Sequence, residues 1–252
     1  MIKCEDVSLI YQGNTNVTKA LEHIDLEINE SDFIAILGPS GCGKSSLLKL
    51  IAGFIKPTSG QVLKNNKIIQ GPGVDRGVVF QSTNLYPWLN VEENIQYGLK
   101  IQKVDFDEMK KKTTKYLEKT QLYDFRKLYP FELSGGMQQR VALSRTLITN
   151  PDIVLMDEPF GALDAITRAS MQVFVRNMWA EESQTFLIVT HDIDEALKLG
   201  NRVIIMSPQP GVILKEYHVE FYKTLLKNPY EMIENQKNYL ALKQEMLKYI
   251  NG

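Results

Sequence analysis

The chain has 252 residues with 29 basic and 30 acidic side chains, a formal net charge of −1. That balance supplies no global field for nucleic acid, so a nucleic-acid partner is not expected. The 44% hydrophobic and 23% charged content is that of a globular protein, not a disordered or fibrous one. No apolar run reaches the about 18 residues that suggest a membrane-spanning helix. The N-terminus, Met1-Ile2-Lys3-Cys4-Glu5-Asp6, lacks an apolar signal segment. A cytosolic chain is expected, forming one large domain or one domain with an inserted subdomain. Cys4 and Cys42 make no disulfide framework, and His23, His191 and His218 are too scattered for a zinc site. Asn16-Val17-Thr18 matches a glycosylation sequon, read here as chance.

In chain order, residues 1–11 read as a strand. Ile24, Leu26 and Ile28 alternate with polar residues as a half-buried strand does. The apolar run Phe33-Ile34-Ala35-Ile36-Leu37 comes next. After it stands Gly38-Pro39-Ser40-Gly41-Cys42-Gly43-Lys44-Ser45, which fits G-x-x-x-x-G-K-[ST] without a mismatch. The helix-like Ser46-Leu47-Leu48-Lys49-Leu50-Ile51-Ala52 follows, so strand, loop and helix stand in the order a phosphate-binding loop requires. The glycines allow close backbone approach, backbone N–H groups and the helix N-terminus favour phosphate, Lys44 reaches the β- and γ-phosphates, and Ser45 is placed for Mg²⁺. Residues 38–46, Ser46 included, are candidate nucleotide contacts.

Short strands are expected at Gly60-Gln61-Val62-Leu63 and around Ile68-Ile69, and a core strand at Arg76-Gly77-Val78-Val79-Phe80. Val91, Ile95 and Leu99 recur at spacing four, which predicts a helical subdomain over about residues 84–150. Its lysines Lys110, Lys111, Lys112 and Lys115 read as a solvated helix face. Ile153-Val154-Leu155-Met156, Phe186-Leu187-Ile188-Val189 and Arg202-Val203-Ile204-Ile205-Met206 are strands of a parallel sheet, with a helix through Met171, Phe174, Val175 and Met178. Pro208 and Pro210-Gly211 open a C-terminal extension over 208–252 that ends in a helix at about 229–250.

Two further segments narrow the chemistry. The buried strand before Asp157-Glu158 ends in two acids. Asp157 is placed to support Mg²⁺ through water, and Glu158 to orient or deprotonate the attacking water. Leu133-Ser134-Gly135-Gly136-Met137-Gln138 starts a helix with two glycines behind a serine, a second anion-binding N-terminus. On these motifs the chain resembles an ATP-binding subunit of ABC transporters, over essentially all of residues 1–206. The resemblance implies an α/β fold with a P-loop NTPase core: a mostly parallel sheet, an N-terminal antiparallel β-subdomain and an inserted α-helical subdomain.

Other roles follow from the resemblance alone. Tyr11 matches the aromatic that stacks on adenine. Gln81 matches the glutamine that touches Mg²⁺ and the water and signals to the membrane subunits. Asp164, in Gly161-Ala162-Leu163-Asp164, belongs to the loop that crosses the dimer interface. His191 matches the switch histidine on the γ-phosphate. Two copies are expected to pack head to tail, so that Ser134, Gly135 and Gly136 of one cover ATP held by Lys44 of the other. The catalytic set is Glu158, His191, Gln81 and Lys44, and the metal set Ser45, Gln81 and Asp157.

Leu85-Tyr86-Pro87-Trp88-Leu89, Thr190-His191-Asp192-Ile193-Asp194-Glu195-Ala196-Leu197 and Met206-Ser207-Pro208-Gln209-Pro210-Gly211 resemble the nitrate/sulfonate/taurine import branch, which also handles thiamine-precursor pyrimidines. That implies a separate transmembrane permease, an extracytoplasmic solute-binding protein and a place on the cytoplasmic face of the membrane. The alternatives are a soluble ABC ATPase that moves no solute, such as an iron–sulfur assembly factor, or a different transporter branch. Gln138, Ser144 and Thr146 depart from the usual pattern without expected loss of activity. Cys42, inside the phosphate loop, is expected to be a reactive thiol that maleimide modifies and ATP protects.

Overall fold

The computed structural model describes residues 1–13, 17–182 and 184–251, so Asn16 of the sequon lies outside the described residues. Two compact units emerge: Met1–Gly73 with Arg176–Gly252, and Val74–Val175.

The first unit opens with β1 (Ile2–Gln12) and β2 (Val17–Ile28), an antiparallel pair. After β3 (Phe33–Leu37) and α1 (Lys44–Ala52) come β4 (Ser59–Lys64) and the short β5 (Lys67–Ile68). The antiparallel sheet runs in the order β2-β1-β4-β5. Ile24, Leu26 and Ile28 face its buried side, as alternation requires.

The second unit begins with β6 (Arg76–Val79) and then turns helical: α2 (Val91–Ile101), α3 (Phe106–Lys119) and α4 (Gly135–Leu147). Strand β7 (Ile153–Asp157) returns parallel to β6, and α5 (Ala165–Glu182) leads out of the unit. The first helix of this unit starts at Val91, the first residue of the spacing-four pattern. Asn90 stops it from starting sooner: its side chain accepts from the Glu93 N–H at 2.9 Å while the Glu93 carboxylate accepts from the Asn90 N–H at 3.0 Å, a capping box. The segment before it is held by the fully buried Asn94. That side chain accepts from Tyr86 N–H at 2.9 Å and donates to the carbonyls of Tyr86 at 3.1 Å and Leu89 at 2.8 Å. Lys110, Lys111 and Lys115 lie on the exposed face of α3.

The chain then re-enters the first unit with β8 (Thr185–Thr190), α6 (Ile193–Leu199) and β9 (Arg202–Met206). After these come β10 (Ile213–His218), α7 (Phe221–Lys227) and α8 (Lys237–Asn251). In this unit β9, β3 and β8 are parallel neighbours and β10 adds antiparallel to β9. All five residues of β3 are at 0% exposure, as a strand covered on both faces must be. Strand β10 carries no apolar run, because it is an edge strand with an exposed face, and sequence periodicity gave no warning of it. Arg202 sits between Asp32 at 2.5 Å and Glu216 at 2.6 Å, so its charge is compensated where β9 begins. The C-terminal extension is anchored by Arg176, which is 2% exposed and donates to the carbonyls of Leu225 at 3.1 Å and Pro229 at 3.4 Å.

Asn94→Ala removes the buried amide that holds the partly buried backbone groups of Tyr86 and Leu89. The expected cost is about 2–3 kcal/mol of stability, read as a lower denaturation midpoint with the denaturant slope unchanged.

Candidate functional site

In the first unit the phosphate loop leaves the C-terminal end of β3 and runs into α1. Gly43, the residue before α1, has φ 98°, a left-handed conformation. A Cβ there would also stand 2.7 Å from the Ala20 carbonyl oxygen, so glycine is required twice over. Lys44 is only 5% exposed, and its ammonium donates to the carbonyls of Gly38 at 2.8 Å and Pro39 at 2.9 Å. The cation therefore lies along the inside of the loop. Tyr11 stands at the end of β1, 42% exposed, with its hydroxyl 3.1 Å from Ser46 Oγ. An aromatic face and the loop are thus brought together by one hydrogen bond.

Register places His191. Leu37 pairs with Thr190 across β3 and β8, so Gly38 and His191 are the next residues at the same end of two parallel strands. Ligands of open α/β sheets gather at that end. Asp192 then starts α6, its carboxylate accepting from Asp194 N–H at 2.8 Å and Glu195 N–H at 3.2 Å.

Sequence reading gave the 207–211 segment no part in the site. Its backbone pairs with β2: Gly211 N–H donates to the Ala20 carbonyl at 3.0 Å, and Glu22 N–H to the Gly211 carbonyl at 3.0 Å. A Cβ on Gly211 would fall 2.0 Å from the Cys42 carbonyl oxygen. The Pro-Gly of that segment is therefore a buttress for the phosphate loop. The signal was present only as a glycine after prolines, which reads equally as a turn.

Cys42 is a correction. It is 1% exposed, with Sγ 3.8 Å from Lys44 Nζ and packed toward Gly38. Position in the loop predicted an available thiol, but the side chain points inward, under the backbone that faces solvent. Reaction needs the loop to open first.

In the second unit, Val79 pairs with Met156 across β6 and β7, so Gln81 and the Asp157-Glu158 pair follow the same ends of two parallel strands. Gln81 Nε2 and Glu158 Oε2 each lie 3.8 Å from where a Cβ on Gly161 would be, so both side chains converge beside that glycine. Glu158 has φ 45°. The left-handed region costs a non-glycine residue about 1 kcal/mol, and such strain gathers at functional positions. Ser134 precedes α4, its Oγ accepting from Met137 N–H at 3.3 Å; Gly135 is exposed and Gly136 buried. Asp164 starts α5, accepting from Ile166 N–H at 3.1 Å and Thr167 N–H at 3.0 Å. Hydrogen bonds from Thr167 hold its carboxyl below the usual range. The two helix starts adjoin, since Gly135 lies beside Leu163.

Gln138 clasps the approach to α4, donating to the carbonyls of Pro130 at 2.9 Å and Leu133 at 3.3 Å. Ser144 and Thr146 bond back to Arg140 at 2.7 Å and Ala142 at 3.1 Å within the helix. Trp88 is 69% exposed, with its ring 5.5 Å from that of Tyr86. Among the described residues, no group of three or more His, Cys, Asp or Glu gathers as a metal site, and no helix is long and apolar enough to cross a membrane.

Gly211→Ala is expected to push the loop at Cys42 and weaken ATP binding about tenfold, a change of about 1.4 kcal/mol, measured with a fluorescent ATP analogue. Maleimide should label Cys42 of the native chain about a hundredfold more slowly than in denaturant, followed by mass spectrometry of the Cys42 peptide.

The family model for ABC transporters matches residues 21–161. The taurine import ATP-binding protein TauB of Pelagibacter ubique is 44% identical, over 98% of this chain and 93% of its own. The aliphatic sulfonates import ATP-binding protein SsuB of Bacillus cereus is 39% identical, over 98% and 94%. Among solved structures, the dimeric post-hydrolysis state of the ATP-binding cassette MJ0796, bound to ADP and Pi, is 33% identical with a TM-score of 0.77, covering 87% of this chain and 99% of that one. The chain belongs to the ABC transporter family and is an ATPase of its cassette type.

Proposed function

We propose that this chain, docked on a separate transmembrane permease at the cytoplasmic face of the membrane, energises an ABC importer of small sulfonate-bearing solutes of the taurine and aliphatic sulfonate kind. The observation that carries the ATPase chemistry is the phosphate loop itself: a left-handed Gly43 at the start of α1, with Lys44 lying along it. The import branch rests on the named relatives, TauB and SsuB.

In this reading, residues 38–46 hold the phosphates through backbone N–H groups and Lys44, and Tyr11 stacks on adenine. Phosphate oxygens replace the Gly38 and Pro39 carbonyls as partners of the Lys44 ammonium. Ser45, Gln81 and Asp157 offer a hydroxyl, an amide oxygen and a carboxylate, the hard oxygen donors that suit Mg²⁺. When bound, Mg²⁺ neutralises charge on the β- and γ-phosphates. Glu158 accepts the proton of the attacking water, His191 contacts the γ-phosphate, and Gln81 orients the water. Two copies sandwich ATP head to tail, with Ser134, Gly135 and Gly136 facing the partner's nucleotide and Asp164 at the crossing. The structural relative is dimeric, which supports that arrangement. Trp88, exposed on a loop held by Asn94, suits contact with the permease. A solute-binding protein delivers the solute from outside.

Lys44→Ala should lower ATP turnover by about 10²–10³-fold, measured by phosphate release; wild-type turnover would reject the loop assignment. Glu158→Gln keeps ATP intact, so a dimer should accumulate on size-exclusion chromatography with ATP and Mg²⁺ but not with ADP. Adding Ser134→Arg should abolish it. Reconstitution with the permease and solute-binding protein, with taurine and alkanesulfonates as substrates, tests the import reading.

A further inference from the structure

Helix α8 and the turn before it have no role in the chemistry above, yet they grip the helix that starts two residues after His191. Helix α6 has only seven residues, too few to hold its own shape in water, so its packing must fix it. Asp194 and Lys198 lie one turn apart on it. Lys243 of α8 donates to both carboxylate oxygens of Asp194, each at 2.7 Å, and the Tyr239 hydroxyl donates to Oδ1 at 2.8 Å. Lys198 pairs with Glu234 at 2.6 Å. Tyr239 is fully buried, with its ring 5.0 Å from that of Phe221. Burial alone would raise the Asp194 carboxyl, but the bonds from Lys243 and Tyr239 outweigh it and hold it below the usual carboxylate range. Upstream, Asp192 N–H donates to Thr190 Oγ1 at 3.0 Å, so the backbone on both sides of His191 is tied.

We propose that Lys243 and Tyr239 are positioning residues for hydrolysis: by clamping Asp194 they fix the first turn of α6 and with it the backbone from which His191 projects. The proposal rests on the reading of His191 as the γ-phosphate contact. Its physical basis is that a displacement of about 1 Å at a reacting group costs on the order of a hundredfold in rate. A clamp from a segment remote in sequence also makes turnover sensitive to whatever moves the C-terminal helix.

Lys243 and Asp194 are partly exposed, with side chains 33% and 36% accessible, so Lys243→Met should fold. In the full chain, kcat for Lys243→Met should fall about tenfold with ATP affinity unchanged, and Lys243→Arg should restore most of it. Histidine-selective ¹⁵N labelling reads the geometry directly. The imidazole signals of His191, assigned with His191→Gln, should move in Lys243→Met, while those of His23, on β2, stay. An unchanged kcat overturns the proposal, and so do unmoved His191 signals or an equal loss in ATP affinity. Wild-type turnover by His191→Ala would instead reject the reading of His191, independently of the labelling result.

Discussion

The phosphate loop must offer backbone rather than side chain to its ligand, and that single constraint organises the first unit. A loop of that kind has little packing of its own, and its left-handed turns carry no intrinsic preference for one shape. It is held from outside. The Ala20 carbonyl limits Gly43 to hydrogen, the Gly211 backbone lies against the Cys42 carbonyl, and β3 delivers the chain at a fixed height from a fully buried sheet. Each contact comes from a different stretch of sequence. The loop's shape is therefore a property of the unit and not of its eight motif residues.

The same logic recurs in the second unit with a different device. There two candidate side chains converge on a glycine, with Gln81 and Glu158 reaching the surroundings of Gly161 from the ends of two paired strands. Glu158 is held in a left-handed conformation that its side chain disfavours. Strain of that kind persists only where the surrounding structure over-determines it. Helix starts carry the rest: Ser134, Asp164 and, in the first unit, Asp192 each spend a side-chain oxygen on orphan backbone N–H groups. The geometry of Ser134, Asp164 and Asp192 is therefore tied to the start of a helix.

The family contributes chemistry, and this chain's own contacts add a connection. Helix α8 lies far from every motif in sequence, yet its Lys243 and Tyr239 meet the helix that follows His191. Short helices transmit position well when both ends are fixed, because packed elements shift between discrete arrangements and do not deform continuously.

Sequence by itself determined the motifs, because their chemistry is local. A glycine-rich loop between an apolar run and a helix, two acids ending a buried strand and a serine before two glycines are each readable within about ten residues. It also determined the continuous apolar strands β3, β7, β8 and β9, whose burial on both faces leaves no alternation to misread. Tertiary structure decided what depends on contacts distant in the chain. Strand β10 exists because β9 has an edge to pair, the start of α2 depends on the Asn90 cap, and Cys42 is buried because its side chain turns beneath the loop. Gly211 became part of the site only because folding brings it to Cys42, 169 positions away in the sequence. Local propensity carries no record of such approaches, since they arise from the packing of whole elements and not from any window of residues.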